Sequence, residues 1–303
     1  MDAAQSMTAR TWGIAAVIAA AVLWGTTGTV QALLPPDRAP LAVGALRLAI
    51  GAVSLIVLAA VQIGRIPLRT LPWPGIIAAG IAIGGYNLLF FRAVSEAGVG
   101  IGTAITIGSA PIWATVVETV QTRHLPRPIR LLGQALSITG VAVLSASGEV
   151  TASTLGIALA LGAGACYAAY SLITSRISHR APSTAIAAAT FTVAALVALP
   201  VLAITPIAWA AAPAPVAALL FLGIGATGLS YALYTLGLGR VAASTGVTLA
   251  LAEPVTAWIL ALLIVGESAT LPGMSGVALI LIGLVLVTRP APQMASEARA
   301  DGP

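Results

Sequence analysis

The chain has no lysine, one cysteine and two histidines in 303 residues. Only 8% of it is charged, against roughly a quarter in soluble domains. Each scarcity excludes something. Without lysine there is no phosphate-cradling G-x-x-x-x-G-K-[ST] loop, so direct drive by nucleotide hydrolysis is not expected. Cys166 alone forms no intrachain disulfide and no cysteine-based metal site. His124 and His179 fall in polar connections, apart from any buried acid or nucleophile. No H-E-x-x-H and no G-x-S-x-G occurs. An enzyme is therefore the least expected class, and neither cofactor nor metal is expected.

What is present is apolar: 59% of the residues are hydrophobic. Runs of about 20 such residues, each long enough to cross a bilayer, recur from end to end. They are continuous rather than alternating, which predicts an all-α polytopic membrane protein and not a β-barrel. Proline clusters divide them into ten spans, approximately 11–34, 40–62, 73–95, 101–121, 129–146, 154–175, 183–204, 214–237, 243–265 and 274–288. The first run is too long for a signal-peptide core of about 7–15 residues and reads as an uncleaved helix. The tail, 289–303, reads as disordered. The net charge of +5 is not a nucleic-acid signal, because every basic residue is an arginine placed mainly between apolar runs. Alternate connections hold most of them, including Arg10, Arg65, Arg69, Arg123, Arg127, Arg176, Arg180 and Arg240. The positive-inside rule then puts both termini in the cytoplasm and Glu149 and Glu267 outside. Strong bias toward alanine, glycine and arginine suggests a bacterial inner membrane.

The second half repeats the first at a constant offset of 143. Pro254 falls on Pro111, Pro215 on Pro72, and Gly156, Gly223, Gly228, Gly276 and Gly283 fall on Gly13, Gly80, Gly85, Gly133 and Gly140. The expected units are 11–146 and 154–288, with five helices each. An odd number of crossings sends the second unit through the membrane from the opposite side. Inverted repeats of this kind place a transport site near the bilayer midplane, at the repeat interface.

The intramembrane polar and aromatic residues are the candidates for that site. The stretch Gly246–Trp258 centres on Glu253 and Pro254 in the middle of an apolar run. A carboxylate at that depth is costly unless it faces protein or water. It is either a proton-coupling or amine-recognising group or a structural acid for the helix around Pro254. Trp24 and Tyr167 occupy equivalent mid-run positions, with Tyr170 one turn on. Tyr86, Asn87 and Phe90 follow a glycine pair on the third span, and Tyr231 and Tyr234 answer on the eighth. Trp113 and Thr248 complete the expected cavity, although helix packing or backbone bonding explains hydroxyls and asparagine as readily. Arg47 reads as structural before substrate-binding, and Glu118 as a local ion pair near Arg123. Pro111 and Pro254 are the expected hinges.

The chain resembles the EamA-type family of the drug/metabolite transporter superfamily, over nearly its whole length. The resemblance rests on Trp24-Gly25, on Arg47, on the run Tyr231 to Gly246, on Leu251 to Ala257 (L-A-E-P-V-T-A), on Gly266-Glu267, and on Gly276 and Gly283. The first half departs from it, with Ala110 opposite Glu253 and His124 opposite Glu267. The resemblance implies a ten-helix exporter of small metabolites with a central cavity, and within the family it is similar to YddG-type amino-acid exporters. The expected partners are a small-molecule substrate and the lipid bilayer, with proton coupling as one of the readings of Glu253 and a monomer as the working expectation. Export of drugs, quaternary cations or sugars is the alternative, and a membrane scaffold or lipid-moving protein is the alternative of a different class.

Overall fold

The computed structural model describes residues 3–36, 38–145, 153–266 and 268–289. The described residues hold ten helices long and apolar enough to cross a bilayer, and no strand. They are α1 (Met7–Gln31), α2 (Pro40–Ile63), α3 (Trp73–Ala97), α4 (Gly100–Thr122), α5 (Pro128–Ser145), α6 (Thr154–Ile177), α7 (Ser183–Ile204), α8 (Pro213–Leu238), α9 (Ala243–Ile264) and α10 (Leu271–Thr288). The expected tail beyond Arg289, the connection 146–152 with Glu149, and Glu267 itself lie outside the described residues.

Local chemistry sets the ends of these helices. Proline stands in the first turn of α2, α3, α8 and α10, where its missing N–H has no intrahelical partner to lose. Ser153 and Thr270 cap α6 and α10 by accepting from Gly156 N and Gly273 N. Gly64 (φ +72°) and Gly266 (φ +80°) stop α2 and α9 in a backbone conformation that side-chain-bearing residues avoid.

The pairing of helices obeys the 143-residue offset. α5 packs along α10, and α2 along α7, each helix against its own counterpart. At the first contact the backbones nearly touch. A Cβ on Gly133 would lie 2.6 Å from Gly283 O, and one on Gly140 would lie 2.6 Å from Gly276 O. Exchanging the halves exchanges these two contacts. Between them Ser137 Oγ donates to the carbonyl of its own counterpart, Ile280, at 3.5 Å. The two halves are thus inverted repeats about an axis near Ser137 and Ile280. Small residues permit this approach where lipid offers no hydrophobic drive between helices.

The symmetry is incomplete. α3 packs on α6 more extensively than their counterparts α8 and α1 pack on each other. Two second-half helices also depart from regular α geometry. α8 is π-helical over Phe221–Leu229, where Thr227 Oγ1 donates to Leu222 O at 2.8 Å. α9 is interrupted at Ala250–Leu251, between α-helical segments Ala243–Leu249 and Ala252–Leu260. Pro254 supplies no N–H for Ala250 O, and Glu253 N bonds that carbonyl instead, at 2.9 Å. The equivalent Pro111 leaves α4 helical throughout Val99–Thr122. Of the two prolines expected as hinges, Pro254 follows an interruption of its helix and Pro111 lies inside a continuous one.

Candidate functional site

A cavity of about 320 Å³ lies between the two halves. It begins among Gln31, Arg38 and Pro40 at the α1–α2 connection and ends mid-bundle at Trp24, Tyr167 and Tyr231. It therefore reaches toward the end of the bundle opposite the arginine-rich connections. A wider groove of about 920 Å³, lined by Trp12, Leu233 and Arg240, runs on the outer face of α1 and α8. Its exposed Trp12 and apolar walls match surrounding lipid.

The walls of the central cavity are aromatic. Trp24 meets Tyr231 with ring centroids 4.8 Å apart, Tyr86 meets Tyr167 at 5.4 Å, and Tyr86 stacks on Phe90 at 5.7 Å. Glycines set the approach of the helices that carry them. A Cβ on Gly25 would sit 2.5 Å from Thr256 Cβ and 2.7 Å from Glu253 O, so α1 lies directly on the turn that presents Glu253. Gly44, one turn before Arg47, lies against Asn87 and Phe91 and brings α3 to the same level.

Polar atoms converge here without protein partners. Trp24 Nε1, Arg47 Nε, Asn87 Oδ1 and Thr106 Oγ1 are buried and make no hydrogen bond, and all four residues line the cavity. Buried polar groups are ordinarily paired, so this cluster sets the cavity walls apart from the packed interior around them. Arg47 and Glu253 bring opposite charges to the same walls, from α2 and from the broken α9. Among the described residues the recorded ion pair is Arg92–Glu96, at 2.7 Å on the surface of α3; Arg47 and Glu253 do not close on each other.

Beneath the cavity the bundle is shut. Tyr234 and Tyr170 lie under Trp24 and Tyr231, almost wholly buried. Ser171 Oγ and Tyr234 OH are 2.9 Å apart, and Ser175 Oγ donates to Leu238 O at 3.1 Å, which ties α6 to α8. Glu118 Oε1 accepts from Ser244 N at 3.0 Å and holds α4 to the start of α9. Arg176 donates to Gln121, and Arg10 to Thr288 O at 2.9 Å.

The structure therefore sorts the expected residues. Trp24, Tyr86, Asn87, Phe90, Tyr167, Tyr231 and Glu253 line the cavity. Tyr170 and Tyr234 do not; their helices turn them into the closed layer below. Trp113 is 42% exposed on the outer face of α4. Thr248 lies nearer the arginine-rich end and bonds back to Ser244 O at 2.7 Å, in the manner of a helix-internal hydroxyl. Glu118 binds a helix start rather than making the expected pair with Arg123. Arg47 faces the cavity and does not snorkel outward. Thr27, Gln31, Arg38, Thr103 and Thr106 join the lining, and no spacing in the sequence separates these hydroxyls and amides from packing ones.

Comparison with known proteins agrees with this architecture. The model of the EamA-like transporter family matches twice, over residues 11–146 and 154–289. The uncharacterized transporter YwfM of Bacillus subtilis is 39% identical over 93% of this chain and 96% of its own length. The threonine/homoserine exporter RhtA of Escherichia coli K12 is 28% identical over 84% of this chain and 83% of its own. A crystal structure at 21% identity superposes with a TM-score of 0.79, covering 93% of this chain and 97% of that one, which shows the fold.

Proposed function

Because the chain belongs to the EamA-like transporter family, we propose that it is a secondary transporter of the cytoplasmic membrane that exports small metabolites, amino acids first among them, by alternating access. The observation that carries this reading is the placement of Arg47 and Glu253 on one aromatic-walled cavity between inverted repeats. Opposite charges that line a cavity without pairing suit a solute carrying both signs, and the aromatic rings suit its carbon skeleton. The name of the relative RhtA supports the same solute class.

With both termini in the cytoplasm, the cavity faces outward and the layer from Tyr234 to Glu118 is the closed inner gate. Transport then requires that layer to part while the rings around the cavity close. The break at Ala250–Leu251 and the π-helical stretch of α8 are the points where backbone bonds are already irregular, and such points serve as hinges in discontinuous membrane helices. Glu253 is the acid on the cavity wall, so a proton that reaches it competes with a bound ammonium group. That competition is the coupling this reading expects.

The test uses purified protein in liposomes preloaded with labelled threonine, methionine or phenylalanine, with and without a pH gradient. Protein-dependent release of any one of them supports amino-acid export. Release of none, with competition by aromatic cations instead, moves the reading to drug export.

A further inference from the structure

We propose that the cavity binds its solute by two points, a carboxylate on Arg47 and an ammonium on Glu253, so that it selects zwitterions over solutes carrying either charge alone. This rests on the transporter reading above and specifies how that site recognises what it carries.

Four observations support it. Arg47 is 8% exposed, its Nε has no hydrogen-bond partner, and its residue lines the cavity. A buried guanidinium left unpaired is unfavourable, and its planar fork matches a carboxylate. Glu253 faces the same space from the turn where α9 is interrupted, held there by Gly25 of α1. The two residues share the walls of one cavity and form no salt bridge with each other.

The fourth observation is the pseudo-symmetry. At the 143-residue offset Arg47 corresponds to Thr190 and Glu253 to Ala110. The scaffold is duplicated while the charges are not. A single head-group site, crossed by one solute at a time, needs one cation and one anion. Asn87 and Trp24, each with an unpaired polar atom, belong to the same walls. Tyr86, Phe90 and Tyr167 then receive the side chain.

The experiment measures competition against a labelled amino acid bound to the detergent-solubilised protein. The competitors are phenylalanine, phenethylamine (no carboxylate) and 3-phenylpropanoate (no ammonium), together with threonine, 1-amino-2-propanol and 3-hydroxybutanoate. The expected result is that each amino acid competes at least tenfold better than both of its singly charged counterparts. Arg47→Gln should narrow the gap to the amine, and Glu253→Gln the gap to the acid. Arg47→Lys, which keeps the charge and loses the fork, should give an intermediate loss, and thermal unfolding confirms that each variant is folded. Amino acids that bind no better than their amines, or no better than their acids, overturn the two-point site while leaving amino-acid export standing. Binding of no amino acid, in protein shown to be folded, overturns the export reading and the two-point site together.

Discussion

Trp24 and Tyr167 stand 143 residues apart, at equivalent places in the two repeats, and meet edge to face with ring centroids 6.2 Å apart. They form the floor of the cavity where the halves join. Edge-to-face pairs contribute about 0.5–1.5 kcal/mol beyond their buried area. Trp24→Ala should therefore weaken solute binding roughly tenfold, because a rigid wall is lost, and Tyr167→Phe should leave it nearly unchanged. Equilibrium binding to the purified variants checks both.

Closure beneath the cavity is testable by crosslinking. A Cβ on Gly239 would lie 3.4 Å from Ser178 Cβ, close to the spacing of a disulfide. With Cys166 replaced by serine, Gly239→Cys with Ser178→Cys should oxidise to a crosslink that pins α8 to α6. Transport should stop on oxidation and return on reduction. Full activity of the oxidised protein would show that this end does not open.

Acidity should weaken solute binding. Arg47 on α2, Arg38 at the mouth, and Tyr86 and Tyr231 face Glu253 across the cavity, and none of them supplies a second negative charge. Protonating Glu253 removes the attraction for an ammonium group, so affinity should fall as pH falls. In Glu253→Gln binding should be weaker and flat with pH. A wild-type affinity that is unchanged between acid and alkaline buffers contradicts this role.

The α5–α10 contact predicts a stability effect distant from the site. Valine at Gly133 or Gly140 must push the helices apart, since even a single carbon would lie 2.6 Å from the facing carbonyl. Overpacking of this sort costs about 1–3 kcal/mol. A lowered unfolding temperature in detergent, with solute affinity preserved in the folded fraction, is the expected outcome.

Much of this was legible in the sequence because bilayers make polar residues expensive. Glu253, Asn87 and Trp24 stood out as interruptions of apolar runs, and all three line the cavity. The repeat was legible because glycines and prolines at fixed spacing mark places where backbones must approach or bend. The face of a helix was not legible. Lipid and the bundle interior are both apolar, so a membrane helix lacks the polar stripe that orients a soluble one. For that reason nothing in the sequence shows that Trp113 faces outward or that Thr248 bonds to its own helix. Tyr231 and Tyr234 share one face of α8, yet one turn of rise is enough to put Tyr231 in the cavity and Tyr234 beneath it. The bond from Ser244 N to Glu118 spans 126 residues and leaves no local trace.

The most direct test of the account is the accessibility of the cavity from the two sides of the membrane. Ala257 lines it, and Ala257→Cys in a Cys166→Ser background places one thiol there. In oriented vesicles a membrane-impermeant thiol reagent should label it readily from the side opposite the arginine-rich connections. From the other side labelling should be slow in the resting protein and speed up when a transported amino acid is supplied. Labelling from one side alone, in protein that is transporting, would contradict alternating access through this cavity.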